Sequence, residues 1–147
     1  MDRHFSHLVD MQKKSCQRYA NKNLYASKQN NQYEWITYQA LDQAVVRLQS
    51  HLHNDIQPLD HIAIIRPNSV EWVMIAYAGL GLGAAITPMY ASQHPDEWIY
   101  ILNDCQISRC FVANNTILNI LIERQHELPH IKEFILINGE YNNGRVA

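Results

Sequence analysis

Residues 62–73 read IAIIRPNSVEWV, an apolar run that breaks at Arg66-Pro67-Asn68 and turns apolar again around Trp72. In open α/β proteins, ligands bind at strand-to-helix junctions of this kind, outside the carboxyl ends of the strands. A helix that starts there offers free N–H groups and a positive dipole end, which suit an anion. The same stretch carries its own acceptors, however. Asn68 can cap the helix, Glu71 at the third helical position can reach back to the cap, and its carboxylate would repel phosphate. The residue types therefore favour a structural joint. His94-Pro95-Asp96-Glu97 reads as a second helix start of the same design, with Pro95 at the first helical position and a Trp after the acid.

Other candidate chemistry dissolves on the same kind of inspection. Gly79-Leu80-Gly81-Leu82-Gly83 has the spacing of a dinucleotide fingerprint, but such a loop follows a strand and opens a helix. This run ends a helix and leads into a strand, where glycine serves a left-handed helix terminus. Of eight histidines, His51 and His53 point in different directions on a helix. His4 and His7 share a face without a Cys or carboxylate pair to complete a metal site. Cys16, Cys105 and Cys110 have no metal-like spacing and no matched base. Asp96 with Asp104, and Glu123 with Glu127, read as ordinary helix acids. Tyr38, Tyr90 and Tyr100 read as core and rim residues. No catalytic, cofactor-binding or metal-binding residue emerges.

The elements that would position any site follow from periodicity. Phe5, Leu8, Val9, Cys16 and Tyr19 predict an amphipathic helix over residues 3–20. Residues 21–32, polar and Asn-rich, read as a loop. Residues 33–36 read as a short strand, after which Thr37 caps a helix whose stripe is Leu41, Ala44, Val45, Leu48 and Leu52. Beyond residue 60, strands at about 61–66, 84–89, 108–113 and 133–138 alternate with helices at about 69–81, 95–103 and 115–127. That alternation predicts an α/β fold with a mostly parallel sheet of four to five strands flanked by helices. The 69–81 helix is apolar nearly all round and should be deeply covered. The expected organisation is a single α/β domain over 1–147, with a helix and polar loop over 1–32 and a flexible tail over 139–147.

The chain has 147 residues, 47% of them apolar, and a net charge of −2 from 12 basic and 14 acidic residues. The length suits one domain with its own core. The absence of a basic excess argues against nucleic-acid binding. The longest apolar stretch, residues 72–89, is interrupted by glycines and Pro88 and reads as a helix plus a strand, so no transmembrane segment is expected. The N-terminus lacks the apolar core of a signal peptide. An odd cysteine count without framework spacing suggests a reducing compartment, and a cytoplasmic location is expected, with peripheral membrane attachment in a full enzyme.

Taken as one pattern, residues 35–113 resemble the N-terminal part of AMP-forming acyl-CoA synthetases. Trp35-Ile36-Thr37-Tyr38-Gln39-Ala40-Leu41 is similar to the family's W-x-T-Y-x-E-L opening. Asp60-His61-Ile62-Ala63-Ile64 resembles its G-D-x-V-A-I strand. Asn68 with Glu71-Trp72 resembles its N-x-x-E-W joint. Gly83-Ala84-Ala85-Ile86-Thr87-Pro88-Met89-Tyr90 resembles G-A-x-x-x-P-x-Y, and residues 97–104 (EWIYILND) its following helix. The Pro88-x-Tyr90 ending leans toward the long-chain fatty acid–CoA ligase branch. Ala40 departs from the usual Glu, His61 from a common Arg or Lys, and Asn54 and Asp55 stand where a Gly is frequent.

The resemblance implies a partial N-terminal subdomain of the adenylate-forming fold. Whole members join a carboxylate to AMP using ATP and magnesium, then pass the acyl group to coenzyme A. The phosphate loop, the Y-G-x-T-E segment and the hinge that carry this chemistry lie later in such enzymes and have no counterpart here. The chain is therefore expected to be a scaffold piece, inactive alone, whose partners are the rest of the ligase chain and a second copy of itself, with the fatty acid a substrate only of the full enzyme. A free-standing α/β interaction or regulatory module is the alternative. Such a module needs a polar outer face on each helix, which the 69–81 helix lacks.

Overall fold

Hydrophobic periodicity places most elements within a residue or two of their positions in the structure, a computed structural model that describes residues 4–137. These residues divide into two compact units: Met1–Ile56 with Ser69–Leu82, and Gln57–Asn68 with Gly83–Ala147. The first holds helix α1 (Leu8–Arg18), strands β1 (Asn23–Gln29) and β2 (Gln32–Thr37), and helices α2 (Tyr38–Leu52) and α3 (Val70–Gly81). The second holds β3 (His61–Ile65), β4 (Ala85–Met89), α4 (Pro95–Asp104), β5 (Arg109–Val112), α5 (Asn115–Glu123), a 3-10 turn at Gln125–Glu127 and β6 (Glu133–Leu136). The segment expected as a tail lies outside the described residues.

Helix α1 begins at Leu8 and not at residue 3, and α5 ends at Glu123, before the 3-10 turn; one further element departs from the sequence reading altogether. The polar stretch at 21–32 is no loop: most of it is β1, paired antiparallel with β2. Asn30 and Asn31 both have positive φ, 49° and 61°. Two such residues make the hairpin turn whose twist matches its strands, and asparagine tolerates that backbone. The Asn-rich composition that looked like a loop is the turn chemistry of a hairpin. Its inner face supplies Leu24, Tyr25 and Ile36, which pack with Leu41 and Val45 of α2 and Ala78 of α3. Thr37 caps α2 as expected, its hydroxyl accepting from the Ala40 N–H at 3.2 Å. Helix α3 has no exposed residue from position 70 to 80, in keeping with its nearly uniform apolar character.

In the second unit β3, β4, β5 and β6 form one parallel sheet in the order β4-β3-β5-β6. Ile62, Ala63, Ile64 and Ile65 of the central strand are all fully buried, as continuous apolar runs in parallel sheets require. Ala63, Ile65, Cys110, Val112 and Phe134 form one sheet face, packed with Trp98, Ile99 and Leu102 of α4 and Ile117 and Leu121 of α5. Arg109 of β5 points to the other face. It is 7% exposed, and its Nε lies 3.5 Å from a carboxylate oxygen of Glu133, its direct neighbour in the β5–β6 register.

Gly83, just after the end of α3, has φ +83°. A Cβ there would sit 3.3 Å from both Cα and Cβ of Pro58, while its carbonyl accepts from the Leu59 N–H at 2.9 Å. The GLGLG run is thus a helix terminus and a tight return into β4. Gly83→Ala adds a left-handed penalty and crowds Pro58, so it is expected to lower the unfolding free energy by about 1–2 kcal/mol in a urea titration.

Candidate functional site

The strand order places a topological switch between β3 and β5, where parallel α/β sheets hold ligands. Two segments meet there within the second unit, residues 66–68 after β3 and residues 113–115 after β5. The Ala113 N–H donates to the carbonyl of Ile65, the last residue of β3, at 3.0 Å. The helices that follow both begin with a satisfied cap. Ser69 caps α3, its hydroxyl accepting from the Trp72 N–H at 3.2 Å. Asn114 caps α5, its Oδ1 accepting from the Ile117 N–H at 3.0 Å.

The cap of α3 corrects the sequence reading by one residue. Asn68 was expected there with Glu71 at the third helical position and Trp72 at the fourth. With Ser69 as cap, Glu71 falls second and Trp72 third. Serine and asparagine are about equally good caps, so adjacent Asn-Ser leaves the register open in sequence. In either register a side chain of the chain itself takes up one helix-start N–H, here that of Trp72. The Asn114 cap escaped the sequence reading, although an Asn immediately before an apolar helical run is its ordinary signal.

At the second junction the expected register holds. His94 caps α4, its Nδ1 accepting from the Asp96 N–H at 3.3 Å, with Pro95 first, Glu97 third and Trp98 fourth. Trp98 is 3% exposed, and its Nε1–H donates to the Tyr90 carbonyl at 3.0 Å. Tyr90 and Gln93 close a turn below it: the Tyr90 N–H donates to Gln93 Oε1 at 2.9 Å, and the Gln93 N–H to the Tyr90 carbonyl at 3.2 Å. The indole therefore fastens the loop after β4 onto α4, and the Tyr90 ring stands in solvent. An ion-pair cluster fastens the other end. Arg124 grips the Glu127 carboxylate at 2.6 and 2.9 Å and also meets Asp96 at the start of α4. The hydrogen bonds from Arg124 hold the Glu127 carboxyl below its ordinary pKa.

The remaining candidates are likewise absorbed by structure. His7 caps α1, accepting from the Asp10 N–H at 3.2 Å. His51 and His53 each donate through Nδ1 to a carbonyl of their own helix, Arg47 and Ser50, at 2.8 Å. His61 Nδ1 donates to the Cys105 carbonyl at 2.7 Å. Among the described residues no group of three His, Cys, Asp or Glu could hold a metal ion. Burial pushes the Cys110 thiol far above its ordinary pKa. Burial and, to a smaller degree, the Asp42 carboxylate raise Cys16. Both are poor thiolates and therefore poor nucleophiles. At these junctions the Ser69 and Asn114 side chains each take up one helix-start N–H.

Four parallel strands in the order β4-β3-β5-β6, linked through helices, define a parallel α/β fold. Solved adenylate-forming enzymes share that fold. The anthranilate CoA ligase AuaEII in complex with anthranoyl-AMP aligns with a TM-score of 0.81 at 20% identity, over 95% of this chain and 26% of its own. The N-terminal domain of FACL13 from Mycobacterium tuberculosis also aligns with a TM-score of 0.81, at 18% identity over 90% of this chain and 34% of its own.

The chain belongs to the AMP-binding enzyme family, which it matches over residues 12–144. Its relatives include the long-chain-fatty-acid–CoA ligase ACSBG2 of Gallus gallus, 25% identical over 130 residues, and long chain acyl-CoA synthetase 2 of Arabidopsis thaliana, 29% identical over 90 residues. These matches cover 87% and 60% of this chain, but it spans only 17% and 14% of the two relatives. No helix among the described residues is long and apolar enough to cross a membrane.

Proposed function

We propose that this chain is the incomplete N-terminal subdomain of an ATP-dependent, AMP-forming long-chain fatty acid–CoA ligase, and that it serves as scaffold for the adenylation domain. The observation that carries this reading is the self-capped switch point. In a parallel α/β enzyme that is where a ligand is received, and here Ser69 and Asn114 occupy helix-start donors themselves. Family membership and the fatty acid–CoA ligase relatives supply the substrate class. On this reading ATP, magnesium and coenzyme A act in the whole protein, and its remaining sequence brings the cationic and N–H groups that stabilise charge on the transferring acyl-adenylate. The partners are the rest of the ligase chain and a second copy, and the compartment is the cytoplasm.

The chain alone is accordingly without activity. Incubated with ATP, magnesium, coenzyme A and fatty acids of increasing length, it should release AMP no faster than a protein-free blank. AMP release that depends on both the fatty acid and the enzyme concentration would refute the reading.

A further inference from the structure

Helix α1 sits on the first unit beside its apolar cluster and not in it. The cluster of Leu41, Val45 and Ala78, with side chains of the hairpin, α2 and α3 around them, includes no residue of α1. The buried residues of α1 are Gln12 and Cys16. Val9 and Met11 are half-buried, and Leu8 is 58% exposed. The seat of α1 therefore leans on a polar contact. Gln12, 5% exposed, donates through Nε2 to Asp42 Oδ1 of α2 at 3.2 Å, and the same nitrogen lies 3.3 Å from Cys16 Sγ.

The two ends of α1 are held differently. Just past its C-terminus the chain is tied to the start of α2. The Ala20 carbonyl accepts from the Gln39 N–H at 3.0 Å, the Lys22 carbonyl from the Tyr38 N–H at 3.2 Å, and the Tyr19 and Tyr38 rings lie 5.6 Å apart. At the N-terminal end the contacts stay within the segment itself: His7 caps the helix, and Asp10 accepts from the Ser6 N–H and from Lys14 Nζ. We propose that α1 is a strap, hinged at residues 19–22 and latched by the Gln12–Asp42 hydrogen bond, that opens and recloses while the hairpin, α2 and α3 stay folded. A segment held by few apolar contacts and a hydrogen bond of modest net worth is the first to open. Once undocked, a helix of 11 residues is marginal in water. Opening therefore melts α1 and uncovers Cys16. This device does not depend on the ligase reading.

The test is alkylation of the chain, with its natural flanking sequence, by N-ethylmaleimide under native conditions, read at each cysteine by peptide mass spectrometry. Cys16 should react through local opening, at a rate that low urea leaves nearly unchanged. Cys110, fully buried in the sheet, should react only as urea unfolds the protein. Asp42→Ala removes the acceptor of the latch and should speed Cys16 labelling roughly tenfold. Asp42→Asn keeps a carbonyl oxygen there and should speed it by about twofold at most. Both variants remove the carboxylate that disfavours the Cys16 thiolate, so the difference between them reports the latch and not the charge. Hydrogen exchange of the α1 amides, which involves no thiol, should rank the three proteins in the same order. Cys16 labelling that rises with urea in step with Cys110 would overturn the proposal, and this wild-type measurement decides it where a variant fails to fold. Equal rates in the two Asp42 variants would overturn it as well.

Discussion

Trp98→Ala is expected to lower the unfolding free energy by about 3–5 kcal/mol, the range for truncating a fully packed aromatic. The indole lies among Met89, Ile99, Leu102, Ile117 and Phe134 in the core beneath the sheet. Its removal leaves a cavity that α4 and the strands cannot close without moving. The substitution also frees the loop after β4, because the Trp98 hydrogen bond is what ties that loop to the helix. Trp98→Phe separates the two effects. It keeps most of the packing and loses one hydrogen bond, for about 0.5–1.5 kcal/mol. The Tyr90 carbonyl retains the Gln93 N–H, so no acceptor is stranded. Urea unfolding followed by circular dichroism measures both. A loss below about 1 kcal/mol for Trp98→Ala would mean that the indole is no pillar of this unit.

The second large effect falls on the Arg109–Glu133 pair. Glu133→Ala removes the carboxylate across the ladder and leaves a buried guanidinium to be solvated by what remains, at a cost of about 3 kcal/mol. The low end of the usual range applies because the Glu133 side chain keeps some access to water. Arg109→Met removes the buried charge itself and replaces it with an apolar side chain of similar length, so it should cost less than Glu133→Ala. The double substitution should be less destabilising than the sum of the two single ones. Strict additivity in the cycle would show that the pair contributes no coupling.

Much of the second unit can be read from residue order, because each strand there is a short apolar run bounded by turn or cap residues. Ile62 to Ile65 leaves no other reading, and His94-Pro95 fixes the start of α4. The hairpin was less legible. Residues 23–29 alternate weakly, since only the inner face meets a core, and the asparagines that make its turn also mark loops. Sequence order also concealed the division into two units. Helix α3 lies between two strands of the second unit in the chain, yet its Ala78 packs with Leu41 and Val45 of the first. That contact is tertiary, and no local pattern announces it. At the candidate site the joint was legible as a joint, but its register was not, because Asn68 and Ser69 are equivalent caps and only the backbone conformation chooses between them. Arg109 was missed because a charged residue at a strand start reads as exposed, and its burial depends on a partner 24 positions later.

The central claim is that the strand-to-helix junctions of this chain hold themselves together and bind no nucleotide or thioester. Amide chemical shifts of Ser69, Val70, Glu71 and Trp72, recorded as ATP with magnesium and then coenzyme A are titrated to millimolar concentration, test it most directly. The account predicts no saturable shift at these four amides. A saturable shift at Val70 to Trp72 with a submillimolar dissociation constant would contradict it.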